Sequence, residues 1–209
     1  MILTGVVGQP LQSNAPGTKP GIRQGQLNDV IVSELMGRYY ESAYRGNVYF
    51  ANAIVTAPVI FSTAAGTGGP LLWNQSTSYN LVLLKMTCGI TTVSTVAGSL
   101  GIGVGISTIP GTLTAIDSMF SAKNPGVKIT GTANAQVSKI GTPSAAATSF
   151  FPVFSINTGA LTVAAGLQMT WEIDGAIIVP PGSFASPCGS ATLSTLVTNI
   201  GLVWMEVPV

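Results

Sequence analysis

The stretch Gly101-Ile102-Gly103-Val104-Gly105-Ile106 decides the fold of this chain, because every second residue is glycine and the others are branched and apolar. Successive side chains of a β-strand point to opposite faces, so the pattern places the large residues on one face only. Glycine inside a strand indicates that another backbone approaches closely at that position. The stretch therefore predicts a strand with an apolar face and a face packed against neighbouring backbone.

The chain around this stretch, from Asn47 to its end, predicts an all-β domain. Its apolar runs are rich in Val, Ile, Thr and aromatic residues and are bounded by Gly, Pro, Asn and Ser. The predicted strands cover residues 47–55, 57–63, 80–88, 90–96, 100–108, 112–120, 127–138, 149–156, 168–179 and 192–207. Turns are predicted at Thr67-Gly68-Gly69-Pro70 and Pro180-Pro181-Gly182. This pattern predicts an antiparallel sandwich of two sheets, with the jelly roll as its most common form.

An immunoglobulin-like sandwich is the alternative architecture for so many short strands. Its usual Cys…Trp…Cys core spacing is absent here, which favours the jelly roll. The two cysteines, Cys88 and Cys188, fall in an apolar run and after a proline in a predicted turn. We expect both to be free thiols, and a disulfide between them is the alternative.

The first 46 residues differ from the rest and predict an extended N-terminal arm, leaving residues 47–209 as the sandwich domain. Glycine and proline recur through residues 1–28 and oppose both helix and sheet interiors. Residues 29–34 predict a short strand. The i,i+4 pairs Glu34/Arg38 and Glu41/Arg45 favour helical turns, so the sequence predicts a short helix over residues 38–45 that ends at Gly46.

Charge is scarce along the chain. Only 7% of the 209 residues are Asp, Glu, Lys or Arg, and histidine is absent, whereas globular chains average about 25% charged residues. The net charge of +1 gives no general electrostatic footprint for nucleic acid. A nearly neutral surface is poorly defended against self-association, so we expect much of it to be covered by copies of the chain or by a partner.

Neither a membrane span nor a secretion signal is expected. Mean hydropathy is +0.51, but the most apolar stretches, Asn80–Met86 and Leu161–Leu167, fall well short of the roughly 20 residues that a spanning helix needs. The first residues lack a basic segment followed by a long apolar one. We expect the chain to stay in the cytoplasm that makes it, or to join a particle assembled there.

The sequence offers little for catalysis. Without histidine, Ser-His-Asp and Cys-His arrangements and histidine-ligated metal sites are excluded within the chain. Glu172 and Asp174 form the one close acidic pair of the body and should face the same side of a strand. They could form a hydrolytic pair or a calcium site, or simply a polar strand face, and the polar face is favoured. We therefore expect no enzyme activity, no catalytic residue, no cofactor and no metal site.

A cluster of aromatic and basic residues near the end of the arm is the candidate binding surface. Tyrosine and arginine dominate the residues that contribute most to protein interfaces. The candidate interface residues are Arg38, Tyr39, Tyr40, Tyr44 and Arg45. The alternative is that these tyrosines, with Tyr49, seal the edge of the sandwich, and both interpretations remain open at this point.

Four segments resemble small virion proteins encoded by tailed bacteriophages. They are Gly37-Arg38-Tyr39-Tyr40-Glu41-Ser42-Ala43-Tyr44-Arg45-Gly46-Asn47, Tyr79-Asn80-Leu81-Val82-Leu83-Leu84-Lys85, Ile177-Ile178-Val179-Pro180-Pro181-Gly182 and Trp204-Met205-Glu206-Val207-Pro208. The chain looks most like a jelly-roll capsid decoration (cement) protein. The resemblance carries no functional residue with it.

This resemblance implies a homo-oligomer, a trimer in many such proteins, clamped over junctions between major capsid subunits. The expected partners are therefore the major capsid protein and the chain itself, with no nucleic acid and no membrane. The expected location is the capsid surface of a virion whose proteins are made in the host cytoplasm. The alternatives are a jelly-roll major capsid protein, a head or tail fibre module, or a carbohydrate-binding attachment module that uses Trp73, Trp171 and Trp204.

Overall fold

The computed structural model describes the greater part of the chain from Arg38 onward. The described residues are 38–39, 42–43, 46–63, 69–106, 112–113, 119–121, 124–128, 135–143, 145–156, 167–193 and 195–209. The chain divides into two compact units, Met1–Tyr40 and Glu41–Val209. Residues 1–28 of the predicted arm and the predicted strand at 29–34 lie outside the described residues. In the first unit, Arg38 and Tyr39 form part of a turn.

The second unit is built from β-strands in two sheets. The strands are β1 (Val48–Thr56), β2 (Val59–Ile60), β3 (Gly69–Asn74), β4 (Tyr79–Thr92), β5 (Gly98–Ile106), β6 (Thr112–Leu113), β7 (Met119–Ser121), β8 (Asn124–Lys128), β9 (Ala135–Thr142), β10 (Ser149–Ile156), β11 (Leu167–Val179), β12 (Ser183–Gly189) and β13 (Val197–Pro208). One sheet has the order β11-β4-β13-β1-β7-β8, and the other has the order β10-β5-β12-β3-β9-β6. The two-residue strand β2 pairs with β12 in parallel.

The strand pairs are nested, and this nesting identifies the fold. The first strand pairs with the last, β1 with β13, and inside that pair lie β3 with β12, β4 with β11 and β5 with β10, all antiparallel. The pairs β1–β13 and β4–β11 belong to one sheet, where the pairing of β4 with β13 joins them. The pairs β3–β12 and β5–β10 belong to the other sheet, where the pairing of β5 with β12 joins them. A long antiparallel hairpin rolled up in this way is an eight-stranded jelly roll. The predicted all-β, jelly-roll-like sandwich is therefore confirmed.

The segment between β5 and β10, residues 107–148, carries the four additional strands β6 to β9. The pair β7–β8 extends one sheet beyond β1, and the pair β9–β6 extends the other beyond β3. This segment lies at the tip of the rolled hairpin, where added residues do not interrupt any of the nested pairs. Both sheets are widened on the same side of the sandwich, and β10 and β11 remain at the opposite edges.

The alternating stretch lies within β5, as its sequence predicts, although its last apolar residue, Ile106, is 72% exposed. Ile102 is fully buried in the core between the sheets. On the other face, a Cβ on Gly101 would collide with the carbonyl oxygen of Phe151. A Cβ on Gly103 would lie 2.7 Å from the Sγ of Cys188, and one on Gly105 would lie 2.8 Å from the ring of Phe184. The close approach is thus to backbone at one glycine and mainly to side chains at the other two.

Two strands were not predicted, and both contain proline. Strand β3 includes Pro70 and replaces part of the predicted turn at 67–70, and strand β12 includes Pro187 and Cys188, which was predicted to lie in a turn. All seven residues of β12 are buried. Pro187 lies between the residues that pair with β3 and those that pair with β2. Because no ladder partner faces this position on that side, a residue without an N–H group is tolerated there.

Strand β4 also differs from the prediction, because Tyr79–Thr92 is one strand where two were expected, at 80–88 and 90–96. Gly89 lies between the two predicted strands, and nothing lies within 4 Å of the position that its Cβ would take. The glycine continues the strand without a turn. The long strand pairs with both β11 and β13 and is the second strand from the edge of its sheet.

The predicted helix end at Gly46 is present as a C-terminal cap. Ser42 and Ala43 have helical conformation, and Gly46 has a left-handed φ of 84°. The N–H of Gly46 donates to the carbonyl of Ala43 and that of Asn47 to the carbonyl of Ser42, both at 3.0 Å. This pair of bonds is the Schellman motif, which favours glycine at the left-handed position. Arg38 lies in a turn and not in the helix predicted over residues 38–45.

The core lies between the two sheets, and its largest fully buried side chain is that of Trp204. Its indole ring stacks on Tyr49 with centroids 6.0 Å apart, and Trp171 packs against the same cluster from a half-buried position. No helix among the described residues is long and apolar enough to cross a membrane.

Candidate assembly surface

One end of the sandwich gathers four of the segments that connect the strands. Val197 at the start of β13 pairs with Thr92 of β4 and with Thr56 of β1. At the same end, Gly189 of β12 pairs with Leu100 of β5. Strand β10 ends there, because its last residues pair with the start of β5. Strand β11 begins there, because its first residues pair with the end of β4. We call the described residues 56–63, 91–99, 189–193 and 195–197 the uncharged end.

The name reflects the composition of the connecting segments. Residues 57–68, 93–97, 157–166 and 190–196 contain no Asp, Glu, Lys, Arg or His. The charged residues of the sandwich unit beyond Arg45 lie in β4, β11 and β13 or in the segment 107–148. Charged residues are depleted at the centres of protein interfaces, because their desolvation is costly. This end therefore shares with interface centres the depletion of charged residues.

The segment between β12 and β13 closes the core at this end. Leu193 and Leu196 are both fully buried and belong to the core cluster. The N–H of Leu196 donates to the carbonyl of Leu193 at 3.0 Å, which forms a tight turn. The carbonyl of Leu196 accepts the N–H of Ala57 at 3.0 Å. The segment between β12 and β13 is thus held by two leucines buried in the core and by a backbone hydrogen bond from Ala57, the residue that follows β1.

Side-chain hydroxyl groups connect this segment to the one between β4 and β5. The Oγ1 of Thr195 donates to the carbonyl of Val93 at 3.2 Å and accepts the N–H of Thr95 at 3.0 Å. The Oγ of Ser190 accepts the N–H of Ser99 at 2.8 Å. These bonds fix the two loops relative to each other. A surface built in this way is preorganised, which reduces the entropy lost when it is covered.

The outward layer of the uncharged end consists of short side chains around one apolar residue. Val96 is 43% exposed, in a loop whose backbone is held by hydrogen bonds. Other exposed residues of the uncharged end are Thr91, Thr92, Thr95, Ala97, Ser190, Thr192 and Thr195. Short side chains lose little rotamer entropy when they are buried, unlike Lys, Arg, Gln or Glu. Burial of this layer by another protein surface would therefore cost little side-chain entropy and little desolvation free energy.

The opposite end of the sandwich is held by a buried asparagine that sequence reasoning missed. Asn74 is fully buried, and its Nδ2 donates to the carbonyls of Tyr79 at 2.8 Å and Val179 at 2.9 Å. Its Oδ1 accepts the N–H of Ser76 at 3.0 Å. The last bond is an Asx turn, for which the Asn-Gln-Ser-Thr-Ser run is a signal in the sequence. The bond to Val179 has no such signal.

The acidic pair of β11 is exposed and does not lie on a regular strand. The Oε1 of Glu172 forms an ion pair with the Nζ of Lys85 at 2.7 Å. Asp174 has a positive φ of 52° and is followed by Gly175 with a φ of 86°, where the register with β4 shifts. The exposure of both side chains fits the interpretation as a polar surface. The described residues contain no group of three or more His, Cys, Asp or Glu that could hold a metal ion.

The predicted interface cluster is described only in part. Arg38 is exposed, and its guanidinium carbon lies 6.0 Å from the centroid of the half-buried Tyr39 ring, within range of a cation–π contact. Tyr40, Tyr44 and Arg45 lie outside the described residues. An interface formed by these five residues stays a prediction.

The tryptophans and cysteines bear on the alternative functions. Trp204 is fully buried and cannot serve as a sugar-stacking platform, whereas Trp73 and Trp171 are half-buried. Cys88 and Cys188 are free and buried, in agreement with the expectation of two thiols. Burial raises the pKa of Cys88 to about 11 and that of Cys188 to about 12. Both thiols are therefore protonated and unreactive near neutral pH.

Comparison with known proteins adds two solved virus particles. No protein-family model matches the sequence, and a search of curated proteins finds no match. A chain of "KBV activated particle at acidic pH" is 13% identical, with 99% of this chain and 85% of that chain covered and a TM-score of 0.25. A chain of "Israeli acute paralysis virus heated to 63 degree - full particle" is 10% identical, with 100% and 83% covered and a TM-score of 0.22. Superpositions this loose carry no conclusion about this chain, whose fold is established by its own strand pairing.

Proposed function

We propose that this chain is a structural virion protein, without enzyme activity, that binds the outer surface of a phage capsid as a homo-oligomer and stabilises it. The observation that carries the proposal is the uncharged end, a surface of short neutral side chains fixed on a rigid jelly roll. Such a surface offers nothing for acid–base or nucleophilic chemistry. It suits a protein that works by packing against other proteins.

The charge distribution supports an assembly role for the body as a whole. A monomer in solution benefits from abundant surface charge and from a net charge well away from zero. This chain has 8 basic and 7 acidic residues in total, and a net charge of +1. A composition of this kind is a disadvantage for a free protein, but it lowers the cost of burying large areas in a particle.

The proposed partners are other copies of the chain and the major capsid protein. Contacts among copies are symmetric, and a trimer is the state that the resemblance suggests. Contact with the capsid joins two different surfaces, and we assign it to the arm and the Arg38–Arg45 cluster. The proposed location is the capsid surface, in a virion whose proteins are made in the host cytoplasm, with no role for nucleic acid or membrane.

Two experiments test this proposal together. Light scattering after size-exclusion chromatography measures the mass of the purified chain, and co-sedimentation with capsids assembled without this protein measures binding. We expect an oligomer that binds expanded capsids at a fixed number of copies per lattice unit. A protein that does not sediment with capsids would contradict the proposal. Closed shells formed by this chain alone would instead identify the alternative, a major capsid protein.

The carbohydrate-binding alternative is less well supported, since Trp204 belongs to the core. Binding of the oligomer on a glycan array would favour it over a capsid role. A copy number of only a few per virion would indicate the remaining alternative, a fibre module.

A further inference from the structure

We infer that copies of this chain meet each other through the uncharged end, with Val96 near the centre of the contact. The inference deepens the proposed function, on which it rests, because it assigns one surface to self-association and leaves the others for the capsid.

The chemistry of the surface favours a second copy as its occupant. A charged or strongly polar partner would find no complementary charge in residues 57–68, 93–97 or 190–196, and it would leave its own groups desolvated. A neutral surface of Thr, Ser, Ala and Val is best matched by another neutral surface with short side chains. The chain supplies such a surface in every copy, and rotational symmetry brings the same patch of each copy together.

The two sheet edges formed by β10 and β11 are less suited to self-association. Strand β10 is the edge of one sheet and contains Pro152, next to a register shift between Pro152 and Phe154. Strand β11 is the edge of the other sheet and is interrupted by the left-handed pair Asp174 and Gly175. Proline and bulges on edge strands prevent pairing with another sheet. Association by strand addition is thus obstructed on this side of the sandwich, whereas the uncharged end has no such obstacle.

The rigidity of the end supports the same assignment. Thr195 binds both Val93 and Thr95, and the exposed Val96 follows directly. The N–H of Val96 also donates to the Oγ of the buried Ser94 at 3.0 Å. The backbone that presents Val96 is therefore held by neighbours on both loops. Fixed loops lose little entropy on association, and this favours contact even through a small area.

The test introduces a single charge at this position. In Val96→Lys, cations of adjacent copies would face each other, so we expect association to weaken by roughly tenfold or more. Thr77→Lys adds the same charge in an exposed loop at the other end of the sandwich and serves as the matched control. The measurement is mass by light scattering over a range of protein concentrations. Unfolding temperature checks that all variants are folded.

Charge complementation separates a direct contact from an indirect effect. If Val96 faces Val96 of another copy, a mixture of Val96→Lys and Val96→Asp should recover association that each variant lacks alone. A monomeric wild type, or a Val96→Lys variant that assembles like the wild type, would overturn the inference.

Capsid co-sedimentation keeps this test distinct from that of the proposed function. A wild type that self-associates through Val96 but does not bind capsids would refute the capsid role and leave the inference intact. A wild type that binds capsids while Val96→Lys still assembles would refute only the inference.

Discussion

The Nδ2 of Asn74 donates a hydrogen bond to the carbonyl oxygen of Val179 at 2.9 Å, between residues 105 positions apart in the sequence. This bond connects the end of β3 in one sheet to the end of β11 in the other. The same amide group donates to Tyr79 at the start of β4. One buried side chain thus joins three strand ends and closes the sandwich opposite the uncharged end.

We predict that Asn74→Leu destabilises the fold by about 2–4 kcal/mol, because one buried and one partly buried carbonyl lose their donor. Each such loss costs about 1–3 kcal/mol when the group is buried. Urea unfolding followed by circular dichroism measures the change. Thr77→Ala, in the exposed loop that follows, is the control and should change stability by less than about 0.5 kcal/mol. Equal stability of the two variants would show that Asn74 does not hold this end together.

Trp204 should be the most costly core residue to truncate. We predict a loss of about 3–5 kcal/mol for Trp204→Ala, since the ring is fully buried and stacks on Tyr49. The indole Nε1 is buried and has no hydrogen-bond partner among the residues that the structure describes. Trp204→Phe should therefore cost clearly less, because it removes volume but breaks no hydrogen bond. Similar losses for both variants in urea unfolding would point to an acceptor for Nε1 and contradict this packing.

The glycine face of β5 gives a prediction with an internal control. A Cβ at Gly103 would lie 2.7 Å from the Sγ of Cys188 and 2.9 Å from the Cβ of Ala147. We expect Gly103→Ala to cost about 1–3 kcal/mol through overpacking. Gly89→Ala, where nothing lies within 4 Å, should be neutral or stabilising by up to about 1 kcal/mol. Thermal unfolding of both variants checks the contrast, and adding Cys188→Ala to Gly103→Ala should recover part of the loss.

The buried thiols predict a loss of stability at alkaline pH. The pKa values of Cys88 and Cys188 are raised from 9.0 to about 11 and about 12. The folded state therefore keeps protons that the unfolded state releases, so this contribution is intact below about pH 9 and is lost as the pH rises toward 11–12. Urea midpoints of the wild type should fall over this range more steeply than those of a Cys88→Ala/Cys188→Ala variant. Parallel pH profiles for the two proteins would contradict the prediction.

The sequence predicts the fold class because local periodicity carries it. The alternation of residues 101–106 is visible without any partner strand, and the cap at Gly46 depends only on its immediate neighbours. Strand β12 was not predicted because most of its residues are small and one of them is Pro187. Its burial depends on distant segments, including β5. The bond from Asn74 to Val179 joins distant segments, and no local pattern signals it.

The composition of the uncharged end could be predicted from the sequence, but its three-dimensional arrangement could not. The absence of charge from residues 93–97 and 190–196 can be read directly from the sequence. Their position side by side follows only from the nested strand pairs, which bring Val197 next to Thr92. The candidate interface at Arg38–Arg45 was inferred from residue types alone and remains a prediction.

The measurement that tests the central claim most directly is a cryo-electron microscopy map of the particle that contains this chain, at a resolution that distinguishes strands. We predict jelly-roll densities on the outside of the shell, in symmetric groups whose uncharged ends face each other. Particles in which this jelly roll forms the continuous shell itself, or in which it is absent from the capsid surface, would contradict the account.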